Sequence, residues 1–228
     1  MRSDISSVLL IMLKMRIENI VKFDFMDPPA PETMMRGLET LNYLGALDDE
    51  GELTVIGDQM SNLPLDPQLS KALLSSVEYH CVPEMLTITA MLSVPQFFLR
   101  PKENADEAEA IHATFSNPES DHIALLNVYD AFVQEKEEDR QQWCDEHYIN
   151  CRNLSNAIRV RTQLEGILKQ LNIDITDGNH VDDPFYFMNI RKCICSGFFM
   201  QVAIREKTGS YRMIKDNEVY CSFHCFNL

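Results

Sequence analysis

The residues best suited to hold a metal ion lie near the C-terminal end. Cys193-Ile194-Cys195 supplies two thiols, and Cys221, His224 and Cys225 supply three further ligands. Structural zinc sites space paired cysteines by two to four residues, and the first pair has one residue between, so no zinc site is expected. Asp174, Asp177 and Gly178 fall in a polar stretch that fails the EF-hand spacing, so calcium is not expected. His122 follows a Ser120-Asp121 cap and reads as a helix-end anchor rather than a general base. The GxxxxGK[ST] loop that cradles nucleotide phosphates is absent.

The chemistry that remains is charge. A formal net charge of −15 opposes binding to a polyanion, because phosphates are met by Lys and Arg. The charge is unevenly spread, however. Asp48, Asp49, Glu50 and Glu52 form one acidic patch, and Glu135, Glu137, Glu138 and Asp139 another. Between Asn189 and Lys215 the bases Arg191, Lys192, Arg205, Lys207, Arg212 and Lys215 face the single acid Glu206. Distribution outweighs the sum in such a chain. Seven scattered cysteines read as free thiols of a reducing compartment. The apolar run Val8–Leu13 is too short to span a bilayer, and Lys14 and Arg16 follow it. Asn153-Leu154-Ser155 matches a glycosylation sequon, which carries no meaning without secretion.

The elements that must position these groups are mostly helical. A hydrophobic content of 45% supports one large domain or two to three small ones. Ser7–Met15 has helical apolar spacing, and Phe23–Met26 reads as extended. Asp27-Pro28-Pro29-Ala30-Pro31 is a stiff break and marks a boundary. A helix is predicted over Glu32–Leu44, with Met34, Leu38, Leu41 and Leu44 on one face. Leu47 and Leu53 flank an acidic turn around Gly51, which predicts a hairpin; Thr54 then caps a helix Val55–Asn62. Helix, wing and helix together predict a winged-helix module.

Asp66 and Pro67 start a helix Gln68–Tyr79, and Pro83–Leu92 is apolar on most sides and so buried. Pro95 and Pro101 bracket an irregular stretch in which Phe97 and Phe98 are expected in the core, as is Trp143. Helices are predicted over Ala105–Phe115, His122–Phe132, Trp143–Ile149 and the long Asn153–Leu171, giving a bundle. Ile190–Val202 reads as a buried helix. Ile204–Arg205, Tyr211–Ile214 and Val219–Phe226 read as strands, with turns at Thr208-Gly209-Ser210 and Asp216-Asn217. The fold class is mainly α, followed by the start of a β domain.

At this point the sequence resembles a known family. Phe23-Asp-Phe-Met-Asp-Pro-Pro29 is similar to the segment that joins the second RecA-like domain of DEAH-box RNA helicases to their winged helix. Leu63-Pro-Leu-Asp-Pro-Gln-Leu69 resembles the entry to their ratchet domain. Met91-Leu-Ser-Val-Pro-Gln96 with Arg100-Pro101, Leu125-Leu-Asn-Val-Tyr129, Trp143-Cys144 with Ile149-Asn150, and Val160-Arg161 with Gln163-Leu164 resemble later parts of it, in order. Gly197-Phe-Phe-Met-Gln-Val-Ala203 and Lys215-Asp-Asn217 resemble the passage into an OB fold. The ordered set covers nearly the whole chain and looks closest to helicases that release spliced introns and act in ribosome assembly. No P-loop, DEAH box or arginine-finger motif accompanies it, and Glu218–Leu228 departs from the family pattern. The chain alone is therefore expected to be catalytically inactive.

The resemblance implies four parts: residues 1–27, tail of a RecA-like domain and linker; 28–66, winged helix; 67–188, ratchet bundle; 189–228, start of a truncated OB fold. It implies a C-terminal accessory region that grips single-stranded RNA in the nucleus, during splicing, spliceosome disassembly or ribosome biogenesis. Arg100, Lys102, Arg152, Arg159, Arg161, Arg191 and Lys192 are the candidate phosphate contacts. Arg159 and Arg161, two apart on a helix, do not share a face, so at least one is expected to pair with an acid or point to water. A G-patch activator would dock on the winged helix around Met34, Met35 and Leu38, and spliceosomal or pre-ribosomal particles would be the larger partners. No membrane, metal or cofactor is expected for this chain, ATP and Mg belonging to a full-length parent. The alternative is a non-catalytic adaptor, or a truncated gene product, that keeps helicase accessory domains for protein or RNA binding.

Overall fold

The computed structural model describes residues 5–17, 20, 23–118, 120–178, 182–207, 210–214 and 219–220. Among them, three helices build the first unit: α1 (Ile5–Lys14), α2 (Pro31–Tyr43) and α3 (Val55–Ser61). Pro31 sits in the first turn of α2, where its missing N–H has no partner to lose. Leu47 bridges Leu53 to form the wing. Gly51 turns it with φ +84, and the Glu52 N–H donates to Asp48 Oδ1 at 2.8 Å. Thr54 then accepts the Gly57 N–H at 3.0 Å and starts α3. Leu9 and Leu10 of α1, Met34 and Leu41 of α2, and Met60 of α3 share one core with Leu44 and Leu47, so α1 is an integral wall of this unit.

The bundle follows as α4 (Pro67–Ser75), α5 (Val82–Leu92), α6 (Ala105–Ala113), α7 (Asp121–Gln134), α8 (Arg140–Glu146), α9 (Cys151–Gln170) and α10 (Tyr186–Phe198). Asp66 caps α4 by accepting the Leu69 N–H at 2.9 Å. The axis is α5, whose residues from Met85 to Met91 are all buried. Two apolar clusters meet along it. One gathers Leu86, Ile88, Leu164, Leu168 and Ile190; the other gathers Met91, Leu125, Phe132, Leu154 and Ala157. At 1.5 Å per residue, α9 runs for about 30 Å and has buried residues in both, so it is pinned along its length.

Several helix ends differ from expectation. The first bundle helix stops at Ser75 rather than Tyr79. The Ser76 hydroxyl donates to Leu73 O, and His80 takes φ +50, turning the chain so that Cys81 bridges Gly178. Tyr148, at φ +54, ends the α8 region early, and Ile149 leaves to bridge Phe98. Asp183 accepts the Phe185 N–H at 2.7 Å just ahead of α10, which begins at Tyr186 rather than Ile190. It ends at Phe198 and passes through a 3-10 turn, Phe199–Gln201, into β1 (Ala203–Arg205). With β2 (Tyr211–Met213) and β3 (Val219–Tyr220), this forms an antiparallel sheet in the order β1-β2-β3. The expected turns at Thr208-Gly209 and Asp216-Asn217, and the strand beyond Tyr220, lie outside the described residues, as do Lys215, Cys221, His224 and Cys225. No described helix is long and apolar enough to cross a membrane.

Candidate nucleic-acid interface

The outward face of α9 carries two exposed arginines. Seven residues make almost two full turns, so Arg152 and Arg159 project from the same side, about 10.5 Å apart along the axis. Both are exposed, and neither has an ion pair or side-chain hydrogen bond among the described residues. Gln163 and Gly166 extend the same exposed stripe. The opposite face carries Leu154, Ala157, Leu164 and Leu168 into the core, so the cations stand on a rigid support.

Arg161 points elsewhere. It is half-buried; its Nε donates to Thr87 Oγ1 at 3.0 Å and its Nη1 meets Glu165 at 3.4 Å, while Lys169 holds the same carboxylate at 2.7 Å. Arg161 therefore ties α9 to α5, and it leaves the set of cations open to a ligand. Nearby, burial pushes the Tyr129 phenol and the Asp130 carboxyl upward, with the Arg161 charge acting against both.

The other candidates divide in the same way. Arg100 is exposed but paired with Glu109 at 2.6 Å. Lys102, in the same loop, is exposed and has no partner among the described residues. On α10, Arg191 is exposed, with its Nε donating to Phe187 O at 3.4 Å, whereas Lys192 is exposed and open. Phe97 is buried and Phe98 is half-buried with its ring 4.2 Å from that of His112, so neither offers a free stacking surface. Trp143 is half-buried and stacks on His147 at 4.3 Å. His112 Nε2 faces two carbonyls, His147 O and Tyr148 O, and so donates; burial lowers its pKa, against the two carbonyl hydrogen bonds. Burial also lowers the pKa of His122, whose Nδ1 lies 3.5 Å from the Ser120 hydroxyl at the start of α7. Cys193 is buried with its thiol donating to Ala72 O, while Cys195 is exposed; two positions apart on a helix, they face different sides.

Of the three expected docking residues, Met34 is buried, contrary to expectation. Met34 packs inward against α1, so it cannot meet a partner; Met35, 59% exposed, can, and Leu38 is half-buried. Leu38 lines a groove of about 1470 Å³ between the ends of α1 and α2, the wing and the start of α3. Leu13, Tyr43, Leu47 and Leu53 line the same groove, and Asp48, Asp49, Glu50 and Glu52 edge it on the wing side. Lys14 is bound to Asp58 at 2.8 Å, leaving Arg16 as the other cation at its edge. The groove escaped sequence reasoning because its walls come from four separate segments.

Two family models match the chain. The winged-helix part of the helicase-associated domain (HA2) matches residues 37–65, and its ratchet-like part matches residues 66–157. The chain belongs to the helicase-associated (HA2) family. The HA2 winged helix, the HA2 ratchet bundle and a short β segment after it make up the mainly α architecture that the sequence indicates. This HA2 chain is also 42% identical, over 217 residues, to the pre-mRNA-splicing factor ATP-dependent RNA helicase prp22 of Schizosaccharomyces pombe. That alignment covers 95% of the chain, so the resemblance to the C-terminal region of DEAH-box RNA helicases holds along nearly all of it. The chain spans 18% of the length of that relative.

Proposed function

We propose that this chain is the RNA-guiding accessory region of an ATP-dependent RNA helicase. The observation that carries the reading is the pair of open cations, Arg152 and Arg159, on the outward face of a helix anchored in two cores. Lys102 and Lys192 add further open positive charge. Contacts of this kind grip the phosphate backbone without regard to sequence and release it as salt rises. Phe97, Phe98 and Trp143 are packed away, so at these positions the grip would act through the backbone rather than through base stacking.

The likeness to a splicing helicase supports a role in ribonucleoprotein remodelling, in splicing or ribosome biogenesis, and hence a nuclear location. ATP and Mg would be bound by the motor of a parent helicase, since this sequence has no phosphate-cradling loop. The short sheet would be the beginning of an OB fold. A G-patch activator would settle in the groove beside the wing, with an apolar anchor against Leu38 and Tyr43 and basic side chains toward the wing carboxylates. That groove also favours a second reading, an adaptor that binds proteins without taking part in catalysis.

Fluorescence anisotropy of a labelled twelve-nucleotide oligo(U) RNA against the chain, at increasing salt, tests the proposal. Arg152→Ala and Arg159→Ala are each expected to weaken binding about three- to tenfold and to flatten the salt dependence. If the unaltered chain fails to bind the RNA at low salt, the RNA-guiding role is lost and the adaptor reading stands alone.

A further inference from the structure

The open cation Lys102 belongs to a short turn between α5 and α6, and Tyr148 bonds to both ends of that turn. On the near side, the Leu99 N–H donates to the Tyr148 carbonyl at 2.8 Å. On the far side, the Asn104 amide donates to the Tyr148 hydroxyl at 2.8 Å and to Glu107 at 3.2 Å, and the Tyr148 hydroxyl donates in turn to Glu107 at 2.9 Å. Tyr148 is itself fixed. Its carbonyl also receives the His112 ring N–H, and its backbone is in the left-handed region at φ +54. Arg100, within the same turn, is held to α6 through Glu109.

We infer that Tyr148 is a positioning residue: through its hydroxyl it holds the Leu99–Asn104 turn so that Lys102 meets a phosphate of a single-stranded polynucleotide. The inference rests on the RNA-guiding reading and deepens it. A lysine on a free turn loses most of its phosphate contact to its own motion, because ordering the turn costs conformational entropy on binding. A turn closed at both ends has already lost that entropy. Tyr148 does not touch the ligand in this scheme; it acts through Lys102.

The test is a set of double-variant cycles in the full chain, read by anisotropy with labelled oligo(U) RNA. Tyr148→Phe removes only the hydroxyl and keeps the ring and the backbone carbonyl. Lys102→Ala is expected to weaken binding about threefold and to reduce the salt slope by about 0.7, the single-strand value for one phosphate. Tyr148→Phe should weaken binding by a similar factor, and the double variant should bind no more weakly than Lys102→Ala alone. Combined with Arg152→Ala, Tyr148→Phe should instead multiply, because those sites share no partner. Asn104→Ala, which removes the same bond from the other side together with the bond to Glu107, should weaken binding at least as much as Tyr148→Phe and likewise add nothing to Lys102→Ala. A merely structural role would lower stability and leave the affinity of the folded protein unchanged. Tyr148→Phe binding like the unaltered chain overturns the inference, as does a fully multiplicative combination with Lys102→Ala. Both results leave the RNA-guiding reading intact. Absence of RNA binding by the unaltered chain removes both.

Discussion

Arg161 and Thr87 lie seventy-four residues apart in sequence and meet at 3.0 Å, guanidinium Nε to hydroxyl oxygen. The same hydroxyl donates to Pro83 O at 3.0 Å, so the contact closes a chain of bonds from α9 into the first turn of α5. With Glu165 at 3.4 Å on its other side, Arg161 acts as a cross-brace of the bundle.

Arg161→Ala is therefore expected to lower stability by about 1.5–3 kcal/mol, the scale of a hydrogen bond to a charged group. The RNA affinity of the folded protein should stay within about twofold. Arg159→Ala should behave in the opposite way, with stability unchanged within about 0.5 kcal/mol, as for surface substitutions, and RNA binding weakened. Urea denaturation and anisotropy on the same two samples check both halves. If Arg161→Ala weakens RNA binding more than Arg159→Ala does, the division between brace and grip is wrong.

The crossing of α10 over α4 gives a second prediction. A Cβ on Gly197 would lie 2.1 Å from the Gln68 carbonyl oxygen, a backbone atom that cannot swing aside. Ala72 and Cys193 complete the close approach, with the Cys193 thiol donating to Ala72 O at 2.9 Å. Gly197→Ala is expected to cost about 3 kcal/mol or more, beyond ordinary overpacking, because two helices must part. Thermal unfolding measures the cost. Hydrogen exchange should show α10 losing protection before α9; equal loss in both would mean that the crossing is not the local weak point.

The parts legible in the sequence are those set by near neighbours. Pro31 announces α2, Asp66 and Thr54 cap the helices that follow them, and Gly51 turns the wing, because a cap or a turn needs only residues within three or four positions. The ends at Ser75 and Tyr148 were not legible, because each turn is stabilised by a distant segment, Asp177-Gly178 in one case and Phe97–Leu99 in the other. The candidate interface shows the same limit. Residue type identifies Arg152, Arg159 and Arg161 equally well, and only the position of Thr87 separates the brace from the open pair. Met34 was open to two interpretations because one apolar face of α2 serves either a core or a partner, and α1 takes that face.

Glu84 supplies a pH-dependent prediction. It lies in the first turn of α5, with Oε2 buried and lacking a hydrogen-bond partner. Burial raises its pKa above the ordinary 4.5, partly offset by hydrogen bonds to its own backbone and to the Tyr186 hydroxyl; Asp130 adds a smaller push upward. Glu84 in turn helps burial to push the Tyr186 phenol up. A carboxyl whose pKa is higher in the folded state binds its proton more tightly there. Its contribution to stability is therefore fully present below pH 4.5 and is lost as pH rises through the folded value. Where Glu84 is ionised, its charge costs the fold stability. Glu84→Gln removes the charge and keeps an acceptor for Tyr186, so it should stabilise the chain at pH 7 by about 1 kcal/mol, the lower end of the cost of an unpaired buried polar group. The gain should shrink toward zero as pH is lowered to about 4, where both forms are neutral. Urea midpoints across that range decide it. A gain that is the same at pH 4 and pH 7 would mean that Glu84 titrates alike in the folded and unfolded chain.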